Sequence, residues 1–127
     1  MKISIIVLGN IVEEIEQTIL NVKKNSKWEE IEILIMNHDE KDEEIEALCE
    51  KYENVKHIHV EDKNKAEAFN LGLQQATGEY VTFIEQGTTY SQGALKKVRK
   101  YAKNKKADVI CMHPYHVIEN VKKKYKM

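Results

Sequence analysis

The stretch Asn70-Leu71-Gly72-Leu73-Gln74-Gln75-Ala76-Thr77-Gly78-Glu79-Tyr80-Val81-Thr82-Phe83-Ile84-Glu85-Gln86-Gly87 decides the fold. Its first part continues an amphipathic helix, with Ala66, Phe69, Leu73 and Ala76 at helical spacing, and Gly78 is the expected helix stop. Tyr80 to Ile84 then reads as a buried strand that ends in polar residues. In an open α/β sheet ligands bind beyond the carboxyl ends of the strands, which puts Glu85, Gln86, Gly87 and Thr88 where chemistry is expected.

Working outward, four more apolar runs occur: Ile3 to Leu8, Ile31 to Met36, Val55 to Val60 and Asp108 to Met112. The segments between them are helical in spacing. Val12, Ile15, Ile19 and Val22 share one face, and so do Ile45, Leu48, Cys49 and Tyr52. Leu95, Val98 and Ala102 mark a further helix, entered through Ser91 as N-cap. Strand starts recur roughly every 24 to 28 residues, a spacing that suits βα units and a parallel sheet. The first two runs are almost continuously apolar, as strands covered on both faces are. Val55-Lys56-His57-Ile58-His59-Val60 is more polar and belongs nearer the sheet edge. The predicted class is α/β, a three-layer α/β/α sandwich around a mostly parallel, Rossmann-like sheet. His113-Pro114-Tyr115-His116 reads as a turn, and the residues after it as a short strand or a basic tail.

With 127 residues, 42% of them hydrophobic and 32% charged, the chain suits one globular domain with a packed core. A formal net charge of −1, from 20 basic and 21 acidic residues, gives no general attraction for nucleic acid or an anionic membrane. The acidic run Glu29 to Glu53 and the lysine runs Lys96 to Lys106 and Lys122 to Lys126 read first as solvated faces. Cys49 and Cys111 lack CxxC spacing and read as reduced, buried thiols. The apolar start is too short for a signal segment or a membrane span, so the expected location is cytoplasmic, with any approach to the inner membrane face made through a partner.

The loops after the strands should open on one edge, which gathers Gly9 and Asn10; Asn37, His38, Asp39 and Asp42; Glu61, Asp62, Lys63, Asn64 and Lys65; and Glu85, Gln86, Thr88 and Thr89. Amides and carboxylates can read a base and a ribose, and lysines and helix N-termini suit phosphate.

On these residues the chain resembles family 2 glycosyltransferases over about Lys2 to Tyr115. Their segment reads Ala-Arg-Asn-x-Gly, then Ala-x-Gly-Glu-Tyr, an apolar run and Asp-x-Asp; Asn70, Gly72, Ala76, Gly78, Glu79 and Tyr80 match it. Ile3-Ser4-Ile5-Ile6-Val7-Leu8-Gly9-Asn10 resembles the opening strand, without its proline and tyrosine. Asn37-His38-Asp39-Glu40-Lys41-Asp42 stands where the family has Asp-Asp-Gly-Ser-x-Asp, Phe69 where it has arginine, and Glu85-Gln86-Gly87 where it has Asp-x-Asp. The resemblance implies a nucleotide-sugar-binding domain over residues 1–115 with a basic tail over 116–127. It implies a parent activity that moves a sugar from a UDP-type donor to a cell-surface polysaccharide or wall polymer in a bacterium. Nucleotide contacts are expected from Asn10, Asn37, Asp39, Asp62, Lys63 and Lys65, and Mg²⁺ or Mn²⁺ binding, if any, from Glu85. The family's catalytic base lies in an acceptor half beyond the fifth strand, so the domain is expected to be truncated, inactive alone, and dependent on the rest of a larger transferase or another protein. The competing reading is a degenerate, non-catalytic binding or scaffold domain of a polymer-synthesising enzyme, favoured by the changes at Phe69, at Gly87 and over Asn37 to Glu40.

Other patterns say less. Cys111, His113 and His116 have soft-ligand spacing but no clear fourth ligand, and His57 and His59 share one side of a strand, most simply as a satisfied or solvent-facing pair. GxGxxG and P-loop patterns are absent. A phosphoacceptor domain would need an acid cluster after the first strand and a lysine after the fifth, where Gly9-Asn10 and His113-Pro114 stand. Trp28 reads as a packing or interface residue.

Overall fold

The computed structural model describes residues 1–40, 42–60, 63–105, 115–118 and 121–124. Four parallel strands form its sheet: β1 (Ile3–Gly9), β2 (Ile31–Asn37), β3 (Val55–His59) and β4 (Tyr80–Glu85), in the order β3-β2-β1-β4. The helices α1 (Val12–Lys24), α2 (Glu43–Glu50) and α3 (Lys65–Gln75) connect them, and α4 (Ala94–Lys105) follows β4. The polar β3 run lies at an edge, as its composition indicates. The predicted fifth strand, Asp108 to Met112, and with it Cys111 and His113, falls outside the described residues.

Strand side chains alternate between the two faces of a sheet, and here each face has its own core. Ile3, Ile5 and Val7 of β1 and Ile31, Ile33 and Ile35 of β2 pack with Ile15, Ile19 and Val22 of α1 and Ile45, Leu48 and Cys49 of α2. Ile6 and Leu8 of β1 and Leu34 and Met36 of β2 pack on the other face with Val60 and Ala68. Helices therefore cover both faces, and continuous apolar strand sequence follows from that double burial. Cys49 is enclosed, and burial, reinforced by Glu46 and Glu50, pushes its thiol up to about 12, so it stays neutral. Trp28 stacks edge-on against Tyr52 with ring centroids 6.1 Å apart, as a packing residue.

The third helix turns a different face inward from the one its apolar spacing suggests. Ala68 and Gly72 are buried, whereas Ala66 and Leu73 are exposed. A Cβ on Gly72 would lie 2.7 Å from Ile6 Cγ2, so the helix backbone itself rests on β1. Gly78 is also not the helix stop: α3 ends at Gln75, and Ala76 leaves in extended geometry. The reason for glycine at 78 is close approach, because a Cβ there would meet Ser4 Oγ at 2.6 Å, Ser4 N at 2.7 Å and Lys2 O at 2.9 Å. At α4, the helix begins at Ala94 after Gly93 (φ 80°), and Ser91 contributes its carbonyl to Ala94 N rather than acting as N-cap.

That close approach seats a buried carboxylate. Glu32 of β2 is 4% exposed and faces the α3 side at the amino-terminal end of the sheet. Its Oε1 accepts from Ser4 Oγ (2.7 Å) and Thr77 N (2.8 Å), and its Oε2 from Thr77 Oγ1 (3.0 Å) and Lys56 Nζ (3.1 Å). Gly78 N donates in turn to Ser4 Oγ at 2.8 Å. Burial alone raises a carboxyl pKa, but the bonds from Thr77, Ser4 and Lys56 outweigh it and hold Glu32 at about 2.

Residues Met1–Lys96 form one compact unit and Lys97–Met127 a second. The second contains most of α4 and an antiparallel pair, β5 (Tyr115–Ile118) and β6 (Val121–Lys124), with Tyr115 opposite Lys124. Tyr115 and His116 are thus in a strand rather than in the turn expected around Pro114.

Two predictions follow from the buried carboxylate and its glycine. A folded pKa near 2, below the ordinary 4.5, means that the stabilisation from Glu32 is complete above pH 4.5 and lost as pH falls toward 2. Urea titrations across that window should show a loss of about 2–3 kcal/mol that Glu32→Gln removes, itself starting from a lower plateau; an unchanged pH profile in the variant would refute the assignment. Gly78→Ala should lower stability by about 2–3 kcal/mol, and more than Gly72→Ala, because it meets backbone where Gly72→Ala meets the movable Ile6 side chain. Urea midpoints of the two variants in the reverse order would contradict this.

Candidate functional site

In this parallel sheet the strand order reverses between β1 and β4, since β2 and β3 lie to one side of β1 and β4 to the other, so the crevice for a ligand lies beyond their carboxyl ends. Gln86, the first residue past β4, bridges that crevice. Its Oε1 accepts from Asn10 N (2.7 Å) and Ile11 N (2.8 Å), and its Nε2 donates to Asn10 Oδ1 at 3.0 Å. Ile11 gives α1 no side-chain cap, so the Gln86 carbonyl takes up backbone donors at the entry to that helix. Gly9 leaves the space: a Cβ there would stand 2.8 Å from Gln86 Oε1.

The loop after β4 is braced from α1. Gly87 N donates to Thr18 Oγ1 and Thr18 Oγ1 donates to Thr88 O, both at 3.1 Å, while Asn21 bonds both backbone groups of Tyr90. Thr88 N closes a turn onto Glu85 O at 3.1 Å, and Gly87 occupies it at φ 81°, a conformation that favours glycine. Gln86 stands at the ligand edge where the sequence placed it, whereas Thr18 and Asn21 are site-forming residues that the sequence did not single out.

The residues expected to bind nucleotide divide in two. Asn10 Nδ2 bonds Asp39 Oδ2, which joins the loop after β1 to the loop after β2. Asp39 holds φ 69°, has a largely exposed side chain, and its carbonyl accepts a bond from His59 Nε2 at 3.1 Å. Lys63 and Lys65 are exposed at the entry to α3, whose N-cap Asn64 forms a reciprocal capping box with Glu67. Asp62 and Glu61 lie outside the described residues.

Asn37 is placed differently from a base-reading residue. It is fully buried; its Oδ1 accepts from Asp42 N (3.3 Å) and bonds His57 Nε2 (3.0 Å), and its Nδ2 donates to His38 O at 2.9 Å. The amide shapes the β2 loop from beneath. Asp42, the acid that matches the end of the family loop, caps α2 through Glu44 N and Ile45 N. Phe69 stands in the arginine position and packs edge-on against Phe83, with ring centroids 5.2 Å apart.

Glu85 ends β4 opposite Leu8, and its Oε1 pairs with Lys65 Nζ at 2.5 Å; both side chains are more than half exposed. Gly87 brings no side chain, and the nearest group to its missing Cβ is the Glu14 carboxyl, with Cδ at 3.8 Å. Among the described residues, no three His, Cys, Asp or Glu side chains gather in a way that could hold a metal ion. Glu85 offers a single carboxylate that is already joined to an ammonium, a poor match for a divalent cation. No described helix is long and apolar enough to cross a membrane.

Comparison with known proteins agrees with this architecture. The sequence matches the model of glycosyl transferase family 2 over residues 4–127. It is 33% identical over 113 residues to a poly-beta-1,6-N-acetyl-D-glucosamine synthase of Staphylococcus aureus, covering 87% of this chain and 23% of that protein. An uncharacterized glycosyltransferase of Rickettsia conorii is 29% identical over 132 residues, covering 98% of this chain and 20% of the relative. The chain thus spans about a fifth of the length of these relatives. Among crystal structures, residues 1–349 of S. aureus TarS superpose with a TM-score of 0.69 at 22% identity, over 81% of this chain and 32% of that one. The same protein in complex with UDP-GlcNAc gives a TM-score of 0.60 at 23% identity, over 81% of this chain and 31% of that one. The parallel sheet, its switch point and a family match over nearly the whole length lead to one conclusion: the chain belongs to glycosyl transferase family 2.

Proposed function

We propose that this chain is the nucleotide-sugar-binding part of a transferase that builds a cell-surface polysaccharide or wall polymer, with a UDP-sugar as donor. The observation that carries the proposal is the cluster of loops at the switch point, where Gln86, Asn10 and Asp39 are joined in one hydrogen-bonded set beside the lysines of the α3 entry. A TarS crystal structure with the same fold was solved in complex with UDP, and the S. aureus synthase, at 33% identity, makes a poly-N-acetylglucosamine by name. Both support a UDP-linked amino sugar as donor.

In this reading Asn10 and Asp39 contact the nucleoside, and Asp62, Lys63 and Lys65 flank the diphosphate, where ammonium groups offset phosphate charge. Asn37 acts indirectly: its buried amide fixes His38 and the turn into α2, and so the placement of Asp39. Transfer itself needs a base and an acceptor site from the remainder of a larger transferase or from another protein. These 127 residues are therefore assigned binding of the donor and not turnover.

A second reading has specific support. Phe69 fills the arginine position with packing, Asn37 turns its amide beneath its loop and Asp42 caps α2, which suits a domain kept for binding or scaffolding without catalysis.

Titration of the labelled chain with UDP and UDP-GlcNAc, followed by NMR, tests the proposal. Amide shifts are expected at Asn10, Asp39, Lys63, Lys65 and Gln86, and none at Ser4, Lys56 or Thr77 at the opposite end of the sheet. Silence at millimolar ligand would refute nucleotide binding and favour the scaffold reading. Gln86→Ala should weaken UDP binding by about fivefold or more with little change in urea midpoint, since it releases one loop from another without opening a core.

A further inference from the structure

The ion pair at the end of β4 points beyond donor binding to how the diphosphate is neutralised. Glu85 stands in the first acidic position of the family's metal motif, and in this chain an ammonium occupies its carboxylate: Lys65 Nζ lies 2.5 Å from Glu85 Oε1. The second position offers nothing in exchange. Gly87 lacks a side chain, and its φ of 81° with the Glu14 carboxyl facing it disfavours an acid there on both conformational and electrostatic grounds. For a divalent cation to bind, it would first have to displace the lysine, and it would then find one carboxylate from this motif.

Resting on the nucleotide-binding reading, we infer that Lys65 takes the place of the divalent cation, so that this chain binds a nucleoside diphosphate independently of metal. The ammonium has three donors. One serves Glu85, and the others are free to turn toward phosphate oxygens, with Glu85 holding the long side chain at the mouth of the crevice as a motif carboxylate would hold an ion. Exposed ion pairs contribute little to stability, so the position of this pair, rather than its strength, is what matters. The arrangement also reverses the role of Glu85. As a metal ligand it would strengthen diphosphate binding; as the partner of Lys65 it competes with the phosphate for the same ammonium and repels it.

That reversal of sign makes the inference testable with UDP as probe, by calorimetric titration of the chain in EDTA, in Mg²⁺ and in Mn²⁺, with Mn²⁺ binding followed separately by electron paramagnetic resonance. The expected result is a UDP dissociation constant that agrees within about twofold in all three conditions, weakens about fivefold or more in Lys65→Met, and tightens in Glu85→Gln. Protein-bound Mn²⁺ should be undetectable in the absence of UDP. Both side chains are exposed, so neither variant opens the core. Tighter UDP binding with Mg²⁺ or Mn²⁺ that Glu85→Gln abolishes would overturn the inference while leaving nucleotide binding intact. Metal-independent binding that Lys65→Met does not change would overturn the assignment to Lys65. Absence of UDP binding in every condition would overturn the donor-binding reading and this inference with it.

Discussion

The four hydrogen bonds received by Glu32 join three segments of the chain to β2 at the amino-terminal end of the sheet. Through them β2 is tied to β1 by Ser4, to β3 by Lys56, and to the α3–β4 connection by Thr77. Each carboxylate oxygen has two donors, so a charge that would be costly in an apolar sheet is fully compensated. Such a site also fixes register. A shift of β2 by one residue would turn Glu32 toward the α1 and α2 face, among Ile15, Ile19 and Ile45, where none of the four donors is found.

The two ends of the sheet use polar residues for opposite purposes. At the amino-terminal end Ser4 and Glu32 are enclosed, and a glycine lets the chain close over them. At the carboxyl end Thr18, Asn21 and Gln86 hold loop backbone in place from the side, which leaves Asp39, Lys63, Lys65 and Glu85 exposed. Loops fixed by scaffold side chains give a ligand site a defined shape without an apolar lining. Linking the β1, β2 and β4 loops through Asn10 and Gln86 also makes them respond as a group: displacing one breaks hydrogen bonds in the others.

Period-2 and period-3.6 patterning disclosed the parallel sheet, its edge strand and the inward faces of α1 and α2, because those features depend on where large apolar side chains recur. The inward face of α3 escaped the same reading. It includes Gly72, where an added Cβ would clash with Ile6 and which a hydrophobic pattern does not register, while Leu73, which it does register, is exposed. In the site, residue type was informative and orientation was not. Asn37 and Asp42 are polar residues at the right strand end, yet one is turned beneath its loop and the other caps a helix. Glu32 stood in plain view in an apolar run, and its role became visible only when Thr77, distant by 45 residues, was brought against it. The pairing of Lys65 with Glu85 likewise depends on tertiary placement of two separate loops.

The backbone contact at Gly78 bears on what kinship at this segment signifies. Glycine here is demanded by Ser4 and Lys2 at the far end of the sheet from the ligand edge, and Thr77 is demanded by Glu32. Selection for a foldable protein is enough to preserve both, whatever becomes of the chemistry. A chain can hold Phe69 where the family has arginine and Gly87 where it has the second aspartate and still carry Gly78-Glu79-Tyr80 intact. The signature is a mark of descent and of a soundly built sheet, and a pseudoenzyme inherits it as faithfully as an enzyme.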